Sequence, residues 1–389
     1  MKPGRLLWRW AAIALPSVAA AGPPIFESTD VFTAGQDGVC EYRIPALLTS
    51  NRGTLLAFCD ARVSRPGDPP NKINLVMKRS FDAGRTWGPL RTLATNGAGA
   101  VADSCGLADR KTGTLWLFSV YAPPGVGSAN AAPGLSGATF YYRAVRSDDD
   151  GASWSAPTDF TAMLKRPAWS AGSTGIGNGI QTRGGRLILP RYHADYVPPG
   201  ARPAHSASFV AYSDDHGRTW RIGADVPRSD GTDECQVAEL ADGTLLCNLR
   251  GLAGNHRKVA RSLDGGASWS PATEDPALVE PRCEGSLRVL TSLPAQDKNR
   301  LLFLNPASLT RRNMTVRLSY DDGRTWPVAM SLYSGPSAYS CLSVLNDLTV
   351  GCLYERGERT PYEKITFARF NVEWLTGGRD TLGTPPGGN

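Results

Sequence analysis

The 389-residue sequence predicts an all-β fold, a six-bladed β-propeller with four-stranded antiparallel blades. Three observations carry that expectation. Forty-two glycines and 29 prolines are scattered between short apolar runs, punctuation that suits many short strands rather than long helices. An octapeptide of the form S-x-D-x-G-x-[ST]-W occurs five times, which marks a repeated supersecondary unit. Six turn-then-apolar segments accompany those five octapeptides, and strand-built repeats of this length point to a propeller.

The octapeptides are SFDAGRTW, SDDDGASW, SDDHGRTW, SLDGGASW and SYDDGRTW. They start at Ser80, Ser147, Ser213, Ser262 and Ser319, separated by 67, 66, 49 and 57 residues. Asp and Ser side chains can bond nearby backbone N–H groups, Gly supplies positive φ, and the Trp can plug into a core. A calcium loop is the competing reading, but the bidentate Glu at the twelfth position of an EF-hand is absent. The octapeptide is therefore expected to be scaffold.

The apolar segments are RGTLLAFCDAR, TGTLWLFSVY, GGRLILPRYH, DGTLLCNLRG, KNRLLFLNPA and DLTVGCLYE. Only the last has no octapeptide after it. A last blade completed by strand from the N-terminal end would explain the missing copy. No linker boundary is strong enough to divide residues 22–380, so a single domain is expected there, followed by a Gly/Pro-rich flexible tail over 381–389. The Gly/Pro/Ala stretch at 121–138 reads as a long loop.

Residues 1–21 place Lys2, Arg5 and Arg9 before an apolar stretch that ends in small residues, the layout of a secretory signal peptide. No later segment approaches the roughly 20 apolar residues that span a bilayer, so the mature chain is expected to be soluble and exported, without a membrane span. A hydrophobic content of 41% and 20% charged residues are ordinary for a globular protein. The net charge of +6 fits an acidic ligand and, without a Lys/Arg run, does not argue for nucleic acid. Eight cysteines are compatible with disulfides in an exported chain, or with buried thiols, since most lie inside apolar runs. No CxxC pair exists and the four histidines are dispersed, so no metal site is expected.

Hairpin arithmetic gathers polar residues at one end. About the Asp242-Gly243 turn, antiparallel pairing brings Glu234 and Arg250 together. Arg43 and Arg62 meet in the same way about Arg52-Gly53, and Tyr339 meets Glu355 about Asn346-Asp347. Equivalent blades would bring all of these to one mouth of the channel. Several arginines there, including one from LTRRNMTV, suit a carboxylate held bidentately.

With YRIP at 42–45, DAR at 60–62 and the YS…LYE pattern near the C-terminus, the five octapeptides resemble the Asp-box exo-α-sialidases (neuraminidases) of secreted bacterial and lysosomal type. The likeness runs from about residue 25 to 375. It implies an arginine triad that clasps the carboxylate of sialic acid, matching Arg43, Arg250 and one arginine of TRRNMTVRLS. Counting back eight residues from Ser319 favours Arg311 over Arg312 for the third. The resemblance further implies Tyr339 as nucleophile, Glu234 as its partner base and Asp68 as acid/base. It gives Glu355 as the carboxylate orienting the first arginine, and Arg62 and Asp103 as contacts to the hydroxyl and amide side of the sugar.

A physical reason supports that choice of groups. The anomeric carbon of sialic acid bears a carboxylate, which would repel an Asp nucleophile in a desolvated pocket. A phenol stays neutral until a base takes its proton. The family implies a retaining hydrolase of sialylated glycans, glycoproteins or glycolipids without metal or organic cofactor, and a monomer is expected. A trans-sialidase, an intramolecular trans-sialidase and a non-catalytic sialic-acid-binding propeller share much of the constellation and remain alternatives.

Overall fold

All six turn-then-apolar segments are strands: Leu55–Arg62, Leu115–Ala122, Leu187–Asp195, Leu245–Gly251, Arg300–Pro306 and Val350–Arg356. The computed structural model describes residues 22–196, 206–227 and 231–382, so the expected signal peptide and the tail from 383 lie outside the described residues. Each of the six strands is covered on both faces, which is why its sequence is a nearly continuous apolar run rather than an alternation. Among the described residues the helices are two short ones, Thr161–Leu164 and Val372–Thr376.

Each of these strands pairs antiparallel with the strand before it and the strand after it. The register follows the hairpin arithmetic. Glu41 faces Arg62 and Arg43 faces Asp60. Cys235 faces Leu249 beyond an irregularity that contains Glu234, and Ser340 faces Tyr354 beyond one that contains Tyr339. The 17-residue strand Val328–Val344 pairs with Arg312–Ser319 along its first part and with Val350–Arg356 along its second, joining two strand groups. At the chain's start, Phe26–Thr33 pairs antiparallel with Lys364–Phe370, the strand after the segment that lacks an octapeptide.

The five octapeptides fold alike. In each, the Ser hydroxyl donates to the Asp Oδ1 at 2.8 Å and accepts from the Gly N–H at 2.8 to 2.9 Å. The same Asp accepts from the backbone N–H of the following Thr or Ser at 2.8 to 2.9 Å. The residue before the Gly and the Gly itself are both left-handed, at φ 59° and 88° in Ala83-Gly84.

The Gly is required for space as well. A Cβ at Gly84 would lie 2.0 Å from Phe367, one at Gly151 2.3 Å from Leu56, and one at Gly266 2.4 Å from Val210. Each of these neighbours belongs to the strand group preceding the octapeptide's own in the ring order, so the motif is where one group seats on the next. The Trp side chains are fully packed in only two copies, Trp220 and Trp269, and half-buried in the other three. Interior packing does the remaining work: Val210, Ile188 and Leu245 are buried in one cluster between adjacent groups, each burial stabilising by about 1.5 to 3 kcal/mol. All eight cysteines are free thiols, seven of them buried, so no disulfide contributes.

Candidate active site

The functional side chains lie at the end of the inner strands away from the hairpin turns. Tyr339 sits on the second part of Val328–Val344 and is 5% exposed. Its hydroxyl donates a 2.5 Å hydrogen bond to Glu234 Oε1 and accepts from Arg250 Nη1 at 2.9 Å. Arg250 Nη1 also donates to Glu234 Oε2 at 2.7 Å, closing a triangle of phenol, carboxylate and guanidinium.

Two more arginines face the same ring. The Arg43 guanidinium lies 5.1 Å from the centre of the Tyr339 ring and that of Arg311 lies 5.3 Å from it. Arg312, by contrast, is exposed and belongs to the strand Arg312–Ser319 that begins there. Arg43, Arg250 and Arg311 thus gather around Tyr339, an arrangement that brings three cationic forks, each suited to a carboxylate, to one phenol.

Electrostatics sharpen the roles these groups can take. Burial pushes the Tyr339 phenol well above its usual 10, the Glu234 charge adds to that, and Arg250 and Arg311 only partly oppose it. The free protein therefore carries a neutral phenol, whose proton already points at a carboxylate. Burial works against the Arg43 charge, but Glu355 outweighs it and holds the guanidinium firmly protonated. Arg250 and Arg311 are likewise held above their ordinary value, Arg250 chiefly by Glu234 and Arg311 by Cys283 and Tyr339, against burial.

Glu355 is fully buried and fixes three groups at once. It accepts from Arg43 Nε at 2.7 Å, from the Ile44 N–H at 2.8 Å and from the Tyr339 N–H at 3.0 Å. One carboxylate therefore couples the first arginine to the backbone that carries the phenol.

The remaining expected residues form a second group. Arg62 is buried, donates to Glu41 Oε2 at 2.9 Å and pairs with Asp68, whose side chain is 77% exposed on the loop after Leu55–Arg62. Asp103 adopts a left-handed φ of 56°, and its N–H donates to Asp60 Oδ1 at 3.2 Å. Its carboxyl is pushed up to about 7, by burial first and then by the charges of Asp68 and Glu234. Asp103 is thus within electrostatic reach of both.

Several participants carry no signal in the sequence. Tyr362 lies 4.1 Å beneath the Arg43 guanidinium and its hydroxyl accepts from Arg311 Nη1 at 2.9 Å, so it spaces two of the three arginines. Glu284 is fully buried and accepts from the Ser340 N–H at 3.1 Å, next along the chain from the N–H that Glu355 holds. Burial drives its carboxyl well above the usual range, and the nearby Glu234 charge pushes the same way. Asp233 lies 3.6 Å from Arg250 Nε and is raised by burial and by Glu234, against Arg250. The Tyr192 hydroxyl is raised well above 10 by burial, with Asp103, Glu234 and Asp233 adding. Tyr192 lies in the repeated segment GGRLILPRYH and Asp233 beside Glu234, but neither motif marks them out, and Tyr362 and Glu284 fall in no repeat at all, so three-dimensional proximity identifies all four.

A family model for a BNR repeat-like domain matches residues 53–353. A sialidase of Micromonospora viridifaciens is 38% identical over 94% of this chain, which spans 57% of that protein's length. Sialidase-3 of Mus musculus is 31% identical, with 90% of this chain and 95% of that protein covered. Among solved structures, Hadza microbial sialidase Hz136 superposes with a TM-score of 0.81 at 34% identity, covering 90% of this chain and 69% of that one. Solved sialidases of this kind are β-propellers, and the all-β arrangement described above is of the same kind. By sequence and by fold, the chain belongs to the sialidase family.

Proposed function

We propose that the chain is a retaining exo-α-sialidase that hydrolyses terminal sialic acid from glycoconjugates with Tyr339 as nucleophile. The observation that carries this reading is the 2.5 Å bond from the Tyr339 hydroxyl to Glu234, set among Arg43, Arg250 and Arg311.

In this reading the three arginines bind the sugar carboxylate and hold the anomeric carbon near Tyr339. The Tyr339 oxygen bonds to that carbon as Glu234 takes the phenol proton, and the glycosidic bond breaks with the proton of Asp68 going to the departing oxygen. Asp68 then takes a proton from water, whose oxygen displaces the tyrosyl oxygen, and Glu234 returns the proton to Tyr339. Two displacements give retention, the tyrosine variant of the retaining glycosidase scheme. Arg62 and Asp103 would meet the hydroxyl and amide side of the sugar.

Six blades are part of the same proposal. Six buried second strands, five octapeptides seating neighbouring groups, and Phe26–Thr33 paired with the final strand support that count. Export is proposed on the basic and then apolar character of residues 1–21, and a monomeric state, a single domain over 22–380 and sialylated glycoprotein or glycolipid substrates complete the reading.

The experiment is release of a fluorogenic phenol from an N-acetylneuraminic acid glycoside, with identification of the sugar product. Free sialic acid as product is expected. An anhydro-sugar or a sialylated acceptor would replace hydrolysis with transfer, and tight binding without turnover would replace it with a sugar-binding module.

A further inference from the structure

The inner strands end, on their turn side, in a second opening that the catalytic reading does not use. A cavity of about 780 Å³ lies there, lined among others by Arg110, Lys111, Arg183, Glu239, Arg288 and Gln296. It shares no residue with the group around Tyr339. Between the two ends, Asn178 Nδ2 donates to Leu47 O at 2.7 Å and to Leu342 O at 3.0 Å, and Gln236 Nε2 donates to Gly175 O at 3.2 Å, tying the inner strands across the axis.

The charges of this cavity do not balance. Four cations line it against one carboxylate, Glu239. That carboxylate is already engaged: it accepts from the Arg183 N–H at 2.7 Å and lies 3.6 Å from Arg183 Nη2. Arg183 Nη2 is further spent on Leu240 O at 2.7 Å and Ala241 O at 3.0 Å. Arg110, Lys111 and Arg288 have no ion-pair partner among the described residues.

Arg288 is the informative one. It stands on the inner strand Ser286–Thr291, and among the described residues its side chain makes a single hydrogen bond, from Nη1 to Gly179 O at 3.3 Å, which leaves most of a five-donor fork unused. Burial draws its guanidinium down to about 10 and the neighbouring Arg110 charge draws it the same way, while the groups that oppose this are the thiols of Cys341 and Cys105. Two guanidinium groups that repel one another across a concave, carboxylate-poor space cost the free protein energy that an anion between them would recover.

We propose that this opening is a binding site for a tetrahedral oxyanion, a sulfate or phosphate group, held between Arg288 and Arg110 with Lys111 at the rim. The planar forks of two arginines suit such an oxyanion better than a halide. The volume exceeds what a bare ion fills, so the same site has room for the group borne on a sugar as well as for the free ion.

The test is isothermal titration calorimetry at constant ionic strength, with inorganic sulfate, galactose 6-sulfate and galactose as probes. Wild type is compared with Arg288→Gln and with Arg110→Gln, a change at an exposed residue, and unchanged melting temperatures confirm folding. One saturable site for sulfate or for galactose 6-sulfate is expected, weakened about tenfold or more in both variants. Tighter binding of galactose 6-sulfate assigns the site to a sugar-borne ester, and tighter binding of sulfate assigns it to the free ion. No saturable heat from either anion, equal binding in wild type and both variants, or binding of galactose as strong as that of its sulfate would each overturn the proposal.

Discussion

Tyr339 and Glu234, 105 residues apart in the chain, share a 2.5 Å hydrogen bond in which the phenol is the donor. Two strands, Thr232–Glu239 and Val328–Val344, deliver the two groups, and Arg250 bonds to both. If Glu234 is the base, Glu234→Gln should keep the shape and lose the proton acceptor. The expected result in steady-state kinetics is a fall in kcat of about 10² to 10⁴ with a much smaller change in KM. A kcat within a few-fold of wild type would remove Glu234 from the mechanism.

Adjacent arginines give a built-in control. Arg311 faces the Tyr339 ring and bonds to Tyr362, whereas Arg312 is exposed. Arg311→Lys should lose the fork that holds a carboxylate and raise KM about tenfold or more, while Arg312→Lys should leave kcat and KM within about twofold. Equal effects of the two substitutions would contradict the assignment.

Two buried glutamates hold consecutive N–H groups of the nucleophile's strand, yet they should respond differently to the same change. Glu355 balances the Arg43 charge, so Glu355→Gln leaves a buried cation without its partner and should destabilise the fold by about 3 to 5 kcal/mol. Burial pushes the Glu284 carboxyl well above its usual range and no cation pairs with it among the described residues, so Glu284→Gln keeps an acceptor for Ser340 and should cost under about 1 kcal/mol. Glu284→Ala should cost about 1 to 3 kcal/mol and lower kcat by loosening Tyr339, acting as a positioning residue. Urea unfolding of the three variants orders them directly.

Asp103 supplies a pH dependence with a definite sign. Its carboxyl titrates at about 7 in the folded protein against an ordinary value of 3.8, because it is buried near Asp68 and Glu234, with Ser173 and Arg62 only partly compensating. Between those pH values the folded chain holds a proton that the unfolded chain has lost. Stability should therefore fall as pH rises from about 4 to about 7, then level off. Asp103→Asn should remove on the order of 1 to 3 kcal/mol of that fall, measured by unfolding at pH 5 and pH 8. An identical pH slope in the variant would show that the Asp103 charge does not matter.

What the sequence made legible follows from what repeats. The octapeptide's Ser, Asp and Gly are tied to each other within eight residues, so the same turn recurs and its spacing measures out the hairpins. Pairing across known turns then places Glu234 beside Arg250 and Tyr339 beside Glu355. The position of Arg311 came from the same counting, since Ser319 ends the strand that begins one residue after it.

Residues that act through long-range contact gave no such signal. Tyr362 arrives on a loop and is set by the two guanidinium groups that it meets, not by its neighbours in sequence. Glu284 reads as an ordinary acid between a Cys and a Gly, and its burial against Ser340 depends on a strand 56 residues away. The eight cysteines, compatible in sequence with either state, are all free thiols in the fold, and seven of them are buried. The charge imbalance around Arg288 and Arg110 is equally invisible along the chain, because it is the fold that gathers four cations and one carboxylate from separate segments into one cavity.

The covalent step is open to direct observation. In Asp68→Ala, an aryl sialoside with a good leaving group can still transfer its sugar to the enzyme, but the water that should release it lacks its base, so the intermediate accumulates. Acid quench during turnover, proteolysis and mass spectrometry should find one sialyl group on the peptide carrying Tyr339, and none when Tyr339→Phe is added. Turnover with no adduct on Tyr339, or an adduct on a different residue, would contradict the proposed nucleophile.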